Sequence, residues 1–165
     1  MMYTPKTINA TSLLWVEKKI VEGLVKYQSQ VFFIDHLHYL VDMDGDNMSV
    51  QIGKTMRELK QIAKRWNVLI VLIAHLKKTR LDTPPDLEDL RDSSFIGQEA
   101  DTVLMLWRHA KRQKREVIIT NNVIVSVQAN RRTGSTGNIK MVYDSGKFTE
   151  QEWALVEDKD DTPGW

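Results

Sequence analysis

Val31-Phe32-Phe33-Ile34-Asp35-His36-Leu37-His38 carries a short apolar, strand-favouring run straight into a carboxylate and two imidazoles. Without polar alternation, such a run reads as a strand buried on both faces of a parallel sheet. Open α/β sheets hold their ligands just beyond the carboxyl ends of such strands. Asp35, placed at such an end, needs a cation or a donor to meet its charge. The stretch by itself admits two readings: a carboxylate facing a ligand, or an Asp that caps the next turn.

A second run, Val68-Leu69-Ile70-Val71-Leu72-Ile73-Ala74, ends in the same manner at His75, followed by Lys77, Lys78 and Arg80. Between the two runs, residues 49–66 put Ile52, Met56, Leu59, Ile62, Ala63 and Trp66 on one stripe, the pattern of an amphipathic helix. A strand–helix–strand unit of this length implies parallel pairing through a right-handed crossover. Asp35 and His75 are thereby expected at the same sheet edge. Upstream, Thr11 or Ser12 serves as N-cap for a helix in which Leu13, Val16, Ile20, Leu24 and Tyr27 recur, with Leu14, Val21 and Val25 alongside, the pattern of a broad buried face.

The remaining segments carry weaker signals. Asp42-Met43-Asp44-Gly45-Asp46-Asn47 is an acidic turn without the sixth-position glycine and distal Glu of a calcium loop. Gly53-Lys54-Thr55 imitates the end of a phosphate loop, but Met48 stands where that loop needs glycine. Residues 76–98 form a long polar segment, of the kind that is functional or disordered. Thr102–Trp107 reads as a third strand, and Lys111–Arg115 as a basic turn that a solvated loop explains, with His109 in an exposed stretch. Ile118–Ile119 and Val123–Val127 read as strands, or as parts of one, interrupted at Asn121-Asn122. Gly134-Ser135-Thr136-Gly137 turns the chain so that Ile139–Tyr143 returns as a hairpin partner, and Asp144-Ser145-Gly146-Lys147 makes another turn. Glu150 to Trp165 is acidic and expected to be a mobile tail.

With 165 residues, 42% hydrophobic, the chain can bury one core. A net charge of +1 excludes a global field for nucleic acid and leaves only local patches. The lack of cysteine excludes a disulfide framework and thiolate chemistry. Apolar runs of strand length, and an N-terminus unlike a signal peptide, predict a soluble intracellular protein without a membrane association.

Four stretches now line up in order: Ile34-Asp35-His36-Leu37; Ala74-His75-Leu76-Lys77-Lys78; Asp89-Leu90-Arg91-Asp92-Ser93 with Gln98-Glu99-Ala100-Asp101; and Arg131-Arg132-Thr133-Gly134-Ser135-Thr136-Gly137. Over roughly residues 12–150 the chain resembles the RecA-like motor domain of DnaB-type replicative helicases, with the phage primase–helicases and Twinkle-type enzymes looking nearest. The resemblance implies an ATP- and Mg²⁺-dependent motor on single-stranded DNA, working as a hexameric ring in the cytoplasm of a bacterial or virus-infected cell. By it, Asp35 is the Walker B carboxylate that holds Mg²⁺ on the nucleotide through water. His75 is the γ-phosphate sensor. Lys77, Lys78 and Arg80, with Arg91, belong to the DNA-tracking segment. Arg131 is the arginine finger reaching a neighbour's nucleotide, with Arg132 beside it on the phosphates; a shift of one residue would exchange the two.

Two departures from that pattern follow. Ala129 stands where the family often has a lysine, two residues before the finger. No G-x-x-x-x-G-K-[ST] precedes Asp35. The implied fold is α/β: a RecA-like P-loop ATPase core with a mostly parallel sheet, lacking the N-terminal P-loop strand and ending in a C-terminal β-hairpin. Residues 1–150 form this partial motor domain and 151–165 the acidic tail. The missing strand is implied between the His75 strand and Thr102–Trp107, so the expected partners are the missing N-terminal half or neighbouring helicase subunits. The tail, ending in Trp165, is similar to tails by which phage helicases contact a polymerase. Alone, the chain is expected to be inactive.

Two other classes compete. A non-catalytic ring subunit would donate Arg131 in trans without binding nucleotide. A metallohydrolase would use Asp35, His36, His38 and His75 as ligands; against it, His36 and Asp35 point to opposite faces of an extended segment, and no further cluster supplies ligands.

Overall fold

The computed structural model describes residues 1–5, 12–41, 48–76, 83–90, 93–113 and 116–152. The acidic turn at 42–47, Thr11, the Lys77, Lys78, Arg80 and Arg91 positions and the tail from 153 onward lie outside the described residues. The chain forms two compact units, one from Met1–Lys77 with Leu87–Ala100 and one from Lys78–Asp86 with Asp101–Trp165.

In the first unit, helix α1 (Leu13–Tyr27) starts at Ser12, whose hydroxyl accepts the Trp15 amide at 3.2 Å. Strand β1 (Val31–Ile34), helix α2 (Met48–Trp66) and strand β2 (Leu69–Leu72) follow. β1 and β2 pair in parallel, Val31 opposite Leu69 through Ile34 opposite Leu72. The strand pleat sends Phe32, Ile34, Ile70 and Leu72 to one side, where they pack on a core of Val16, Ile20, Leu59 and Ile62. Gly23 lets α1 approach this sheet closely, since a Cβ there would lie 2.7 Å from Phe32 Cε1. Glu17 fastens the two helices, accepting from Arg65 Nη1 at 2.5 Å and Trp66 Nε1 at 2.8 Å.

The expectation of strands buried on both faces is corrected here. Phe33 is 73% exposed, Leu69 58% and Val31 47%. Both helices lie on the Phe32 and Ile70 side, so the alternate residues of each strand have no layer above them among the described residues. An unbroken apolar run records that both faces are apolar, and it does not record that both are covered.

The polar 76–98 segment holds more order than a loop. Leu76 and Leu90 form an antiparallel bridge, Leu87–Asp89 makes one 3₁₀ turn, and helix α3 runs Ser93–Glu99. α3 rests on α2 where Gly53 leaves room for Phe95, whose Cδ1 would lie 2.8 Å from an added Cβ. Arg57 Nε donates to Glu99 Oε1 at 2.8 Å, and Lys60 Nζ to the Glu99 carbonyl at 3.0 Å.

The second unit is an antiparallel sheet in the order β3 (Thr102–Gln113), β4 (Glu116–Asn130), β5 (Gly137–Asp144), β6 (Lys147–Glu150). The mostly parallel sheet expected from the sequence is therefore corrected: the described residues make one parallel pair and a four-stranded antiparallel sheet. β4 runs through Asn121-Asn122 as one strand, but its pairing with β3 is interrupted there, since Arg108 pairs with Val123 and Ala110 with Ile119. Irregularities in the β3–β4 ladder fall at Val103/Leu104 and at Arg108/Ala110. His109, expected to be exposed, is 6% exposed and sits edge-on to Trp107 at 5.5 Å. Gly137–Asp144 returns beside β4 as the hairpin partner, and Ser145 and Gly146, with φ of 47° and 86°, turn the chain into β6. Only Gly accepts such a φ without steric cost, which places Gly146.

Candidate functional site

The parallel ladder continues past the ends of β1 and β2. Ile73 donates its amide to the Ile34 carbonyl at 2.9 Å, and Leu37 donates to the Ile73 carbonyl at 2.9 Å. These two bonds bracket Asp35-His36 on one strand and lead into Ala74-His75 on the other. Asp35 and His75 thus leave the same carboxyl edge of one parallel pair, as the strand–helix–strand reading anticipated. Both are exposed. Asp35 has no ion pair or hydrogen bond with another described residue, so its charge is available to a cation.

Around them the imidazoles gather. The rings of His36 and His75 meet edge-on with centroids 4.2 Å apart. His38 lies 5.6 Å from His36 and 5.8 Å from His75. Tyr39 tilts over His36 at 4.4 Å. The 3₁₀ turn Leu37–Leu40 makes this possible by folding His38 back toward the strand ends. The sequence reading treated this segment as extended, where His36 and His38 share a face, and so missed that the turn carries both to His75. Among the described residues no group of three His, Cys, Asp or Glu could hold a metal ion.

Arg131 and Arg132 lie in the second unit, at the turn between β4 and β5, and both are exposed. The turn is tightly specified. Asn130 Oδ1 accepts the amides of Arg132 at 3.2 Å and Thr133 at 3.3 Å, an Asx arrangement that mimics a backbone turn. Gly134 donates to the Asn130 carbonyl at 2.8 Å with φ of 71°. Arg131 itself is anchored by its amide to the Asp101 carbonyl at 2.9 Å. Its side chain is therefore presented from a stiff base.

The same unit contains a cleft of about 300 Å³ lined by Leu106, Arg108, Val123, Tyr143 and Phe148. The Arg108 guanidinium sits 5.4 Å from the Tyr143 ring centroid and is oriented by the Thr120 carbonyl at 2.7 Å and Asn121 Oδ1 at 3.0 Å. A cation beside an aromatic face above an apolar floor suits a flat, electron-rich ring. Sequence reasoning missed this cleft because its lining comes from four strands; the alternation of Leu104, Leu106 and Arg108 was its one signal.

Comparison with known proteins agrees with this architecture. The family model described as DnaB-like helicase C terminal domain matches residues 4–151. The chain is 27% identical over 152 residues to the replicative DNA helicase DnaB of Rickettsia bellii, a match covering 77% of this chain and 30% of that relative. It is 29% identical over 130 residues to the replicative DNA helicase DnaC of Bacillus subtilis, covering 74% and 28%. A solved structure of a DnaB-like replicative helicase, described with its interactions with primase, matches with a TM-score of 0.71 and 26% identity over 86% of this chain and 35% of that one. With these matches the chain is an α/β domain similar to the C-terminal domains of replicative helicases. The chain belongs to the DnaB-like helicase C-terminal domain family. It spans about 30% of the length of the curated relatives it matches. No helix among the described residues is long and apolar enough to cross a membrane.

Proposed function

We propose that this chain is the C-terminal part of a RecA-like, ATP-driven DNA helicase motor. The observation that carries the reading is the shared edge of Asp35 and His75, fixed by the Leu37–Ile73 and Ile73–Ile34 hydrogen bonds. An exposed, unpaired carboxylate at a strand end fits a hydrated Mg²⁺, which keeps several waters and needs one or two carboxylates beside the phosphates. The ion, when bound, supplies neutralisation of phosphate charge. Asp35 would hold the ion through water, and His75 would stand toward the terminal phosphate, where its presence or loss could be registered. Arg131, with Arg132 beside it, brings positive charge to a nucleotide on a neighbouring subunit, the task for which a planar, permanently charged group is suited.

Lys77, Lys78, Arg80 and Arg91 carry the DNA contact in this reading, as backbone-tracking cations that do not select bases. The phosphate cradle itself is absent from the 165 residues, since no G-x-x-x-x-G-K-[ST] occurs in them. Turnover therefore requires the cradle from elsewhere, as the N-terminal motor half or a neighbouring subunit. Anisotropy with a labelled single strand tests the DNA part. Lys77→Ala with Lys78→Ala lowers affinity and reduces the salt slope by about 1.4, two contacts at about 0.7 each. An unchanged slope rejects the assignment.

A further inference from the structure

The β3–β4 hairpin reaches well beyond its sheet. β5 pairs with β4 only from Asn122 to Val127, whereas β3 and β4 stay paired out to Gln113 opposite Glu116. The outer part, Ala110–Gln113 with Glu116–Ile119, is thus a two-stranded ribbon without a third strand among the described residues. Val117 and Ile119 point to one side and Ile118 to the other, and they are 47%, 62% and 37% exposed. A hairpin wet on both faces is marginal in water, and a run of exposed β-branched residues on it marks a contact surface.

The sequence of this stretch is basic. Residues 110–119 hold Lys111, Arg112, Lys114 and Arg115 against one acid, Glu116, in a chain whose net charge is only +1. Lys111 is exposed, and no ion pair neutralises it among the described residues.

We propose that this ribbon is a second nucleic-acid contact, and that its ligand is duplex DNA. Three features select the duplex. The major groove admits a two-stranded ribbon by its width. No Phe, Tyr, Trp or His occurs in residues 110–119, so the ribbon lacks the stacking platform by which proteins hold single strands. Its apolar groups are β-branched, a shape suited to thymine methyls on the groove floor. The inference rests on the DNA-motor reading for its choice of polyanion, while its residues are separate from Lys77 and Lys78.

The test measures binding of the full chain to a labelled duplex of about two turns, to oligo-dT and to polyglutamate. Lys111→Glu with Arg112→Glu is expected to weaken duplex binding at least tenfold and to cut its salt slope by about 1.8, two contacts at about 0.9 each, with oligo-dT affinity unchanged. Val117→Ser with Ile119→Ser lowers duplex affinity without changing the slope; circular dichroism verifies that both variants fold. The Lys77→Ala, Lys78→Ala variant shows the opposite selectivity, so failure of the ribbon and failure of the motor reading are told apart. Duplex binding indifferent to the charge reversal overturns the proposal. So does an equal loss on oligo-dT, or ribbon-dependent binding of polyglutamate alone, which would assign the arm to an acidic protein.

Discussion

Leu37 gives its amide proton to the carbonyl of Ile73 at 2.9 Å, one residue beyond Leu72 on β2 and three beyond Ile34 on β1, the last ladder pair. Together with the bond from Ile73 to Ile34 it fixes the rim, with Asp35 between the two bonds on one strand and His75 two residues past Ile73 on the other. Everything proposed about chemistry in this chain depends on that rim being set by backbone bonds, which hold whatever the side chains do.

The first unit should be stable through one face of its sheet only. Ile20, 2% exposed, packs in the core, and Ile20→Ala is expected to cost about 2–5 kcal/mol. Phe33→Ser, at a position 73% exposed, should change stability by no more than about 0.5 kcal/mol. Urea denaturation of the two variants checks the contrast; comparable losses would mean that the outer face is also core.

Gly53 is where α2 admits Phe95. Alanine there gains up to about 1 kcal/mol of helix propensity but sets a Cβ 2.8 Å from the Phe95 ring, an overpacking that costs about 1–3 kcal/mol. Net destabilisation is expected, and Phe95→Leu in the same chain should relieve it. Thermal melts of the single and double variants decide the point.

Glu17 links acid stability to the α1–α2 contact. Hydrogen bonds from Trp66 and then Arg65 hold its carboxyl below its ordinary 4.5. A depressed carboxyl contributes stability that is present above the unfolded value and lost as pH falls through the folded one. The melting temperature should therefore drop more steeply below about pH 4.5 in the natural chain than in Glu17→Gln. Identical pH profiles would show that the contact does not contribute.

Much of the architecture was legible in the sequence because it is written in local patterns. Ser12 as N-cap, Ile52, Met56, Leu59 and Ile62 on one stripe, and Gly134 and Gly146 at turns are short-range instructions, and each appears in the structure; the apolar faces are narrower than expected, with Trp66 on α2 and Leu14, Val25 and Tyr27 on α1 exposed. The parallel pair followed from two apolar runs joined by a helix. What was not legible depends on residues far apart in the chain. Exposure of Phe33 reflects which side the helices occupy, a property of no single segment. The approach of His36 and His38 to His75 requires a 3₁₀ turn that Leu37-His38-Tyr39-Leu40 does not announce. β4 continues through Asn121-Asn122 although neither residue has a partner in the β3 register; Asn122 opposite Val142 of β5 is the pairing that carries the strand past this point, against the weak strand propensity of asparagine.

The most direct measurement is ATP hydrolysis, stimulated by single-stranded DNA, after mixing this chain with a polypeptide that carries the G-x-x-x-x-G-K-[ST] loop these 165 residues lack. The account predicts turnover from the mixture and from neither part alone, a loss of about 10³–10⁵-fold with Arg131→Ala, and loss of turnover with Asp35→Asn. No turnover from the mixture, or turnover that is indifferent to both substitutions, would contradict it.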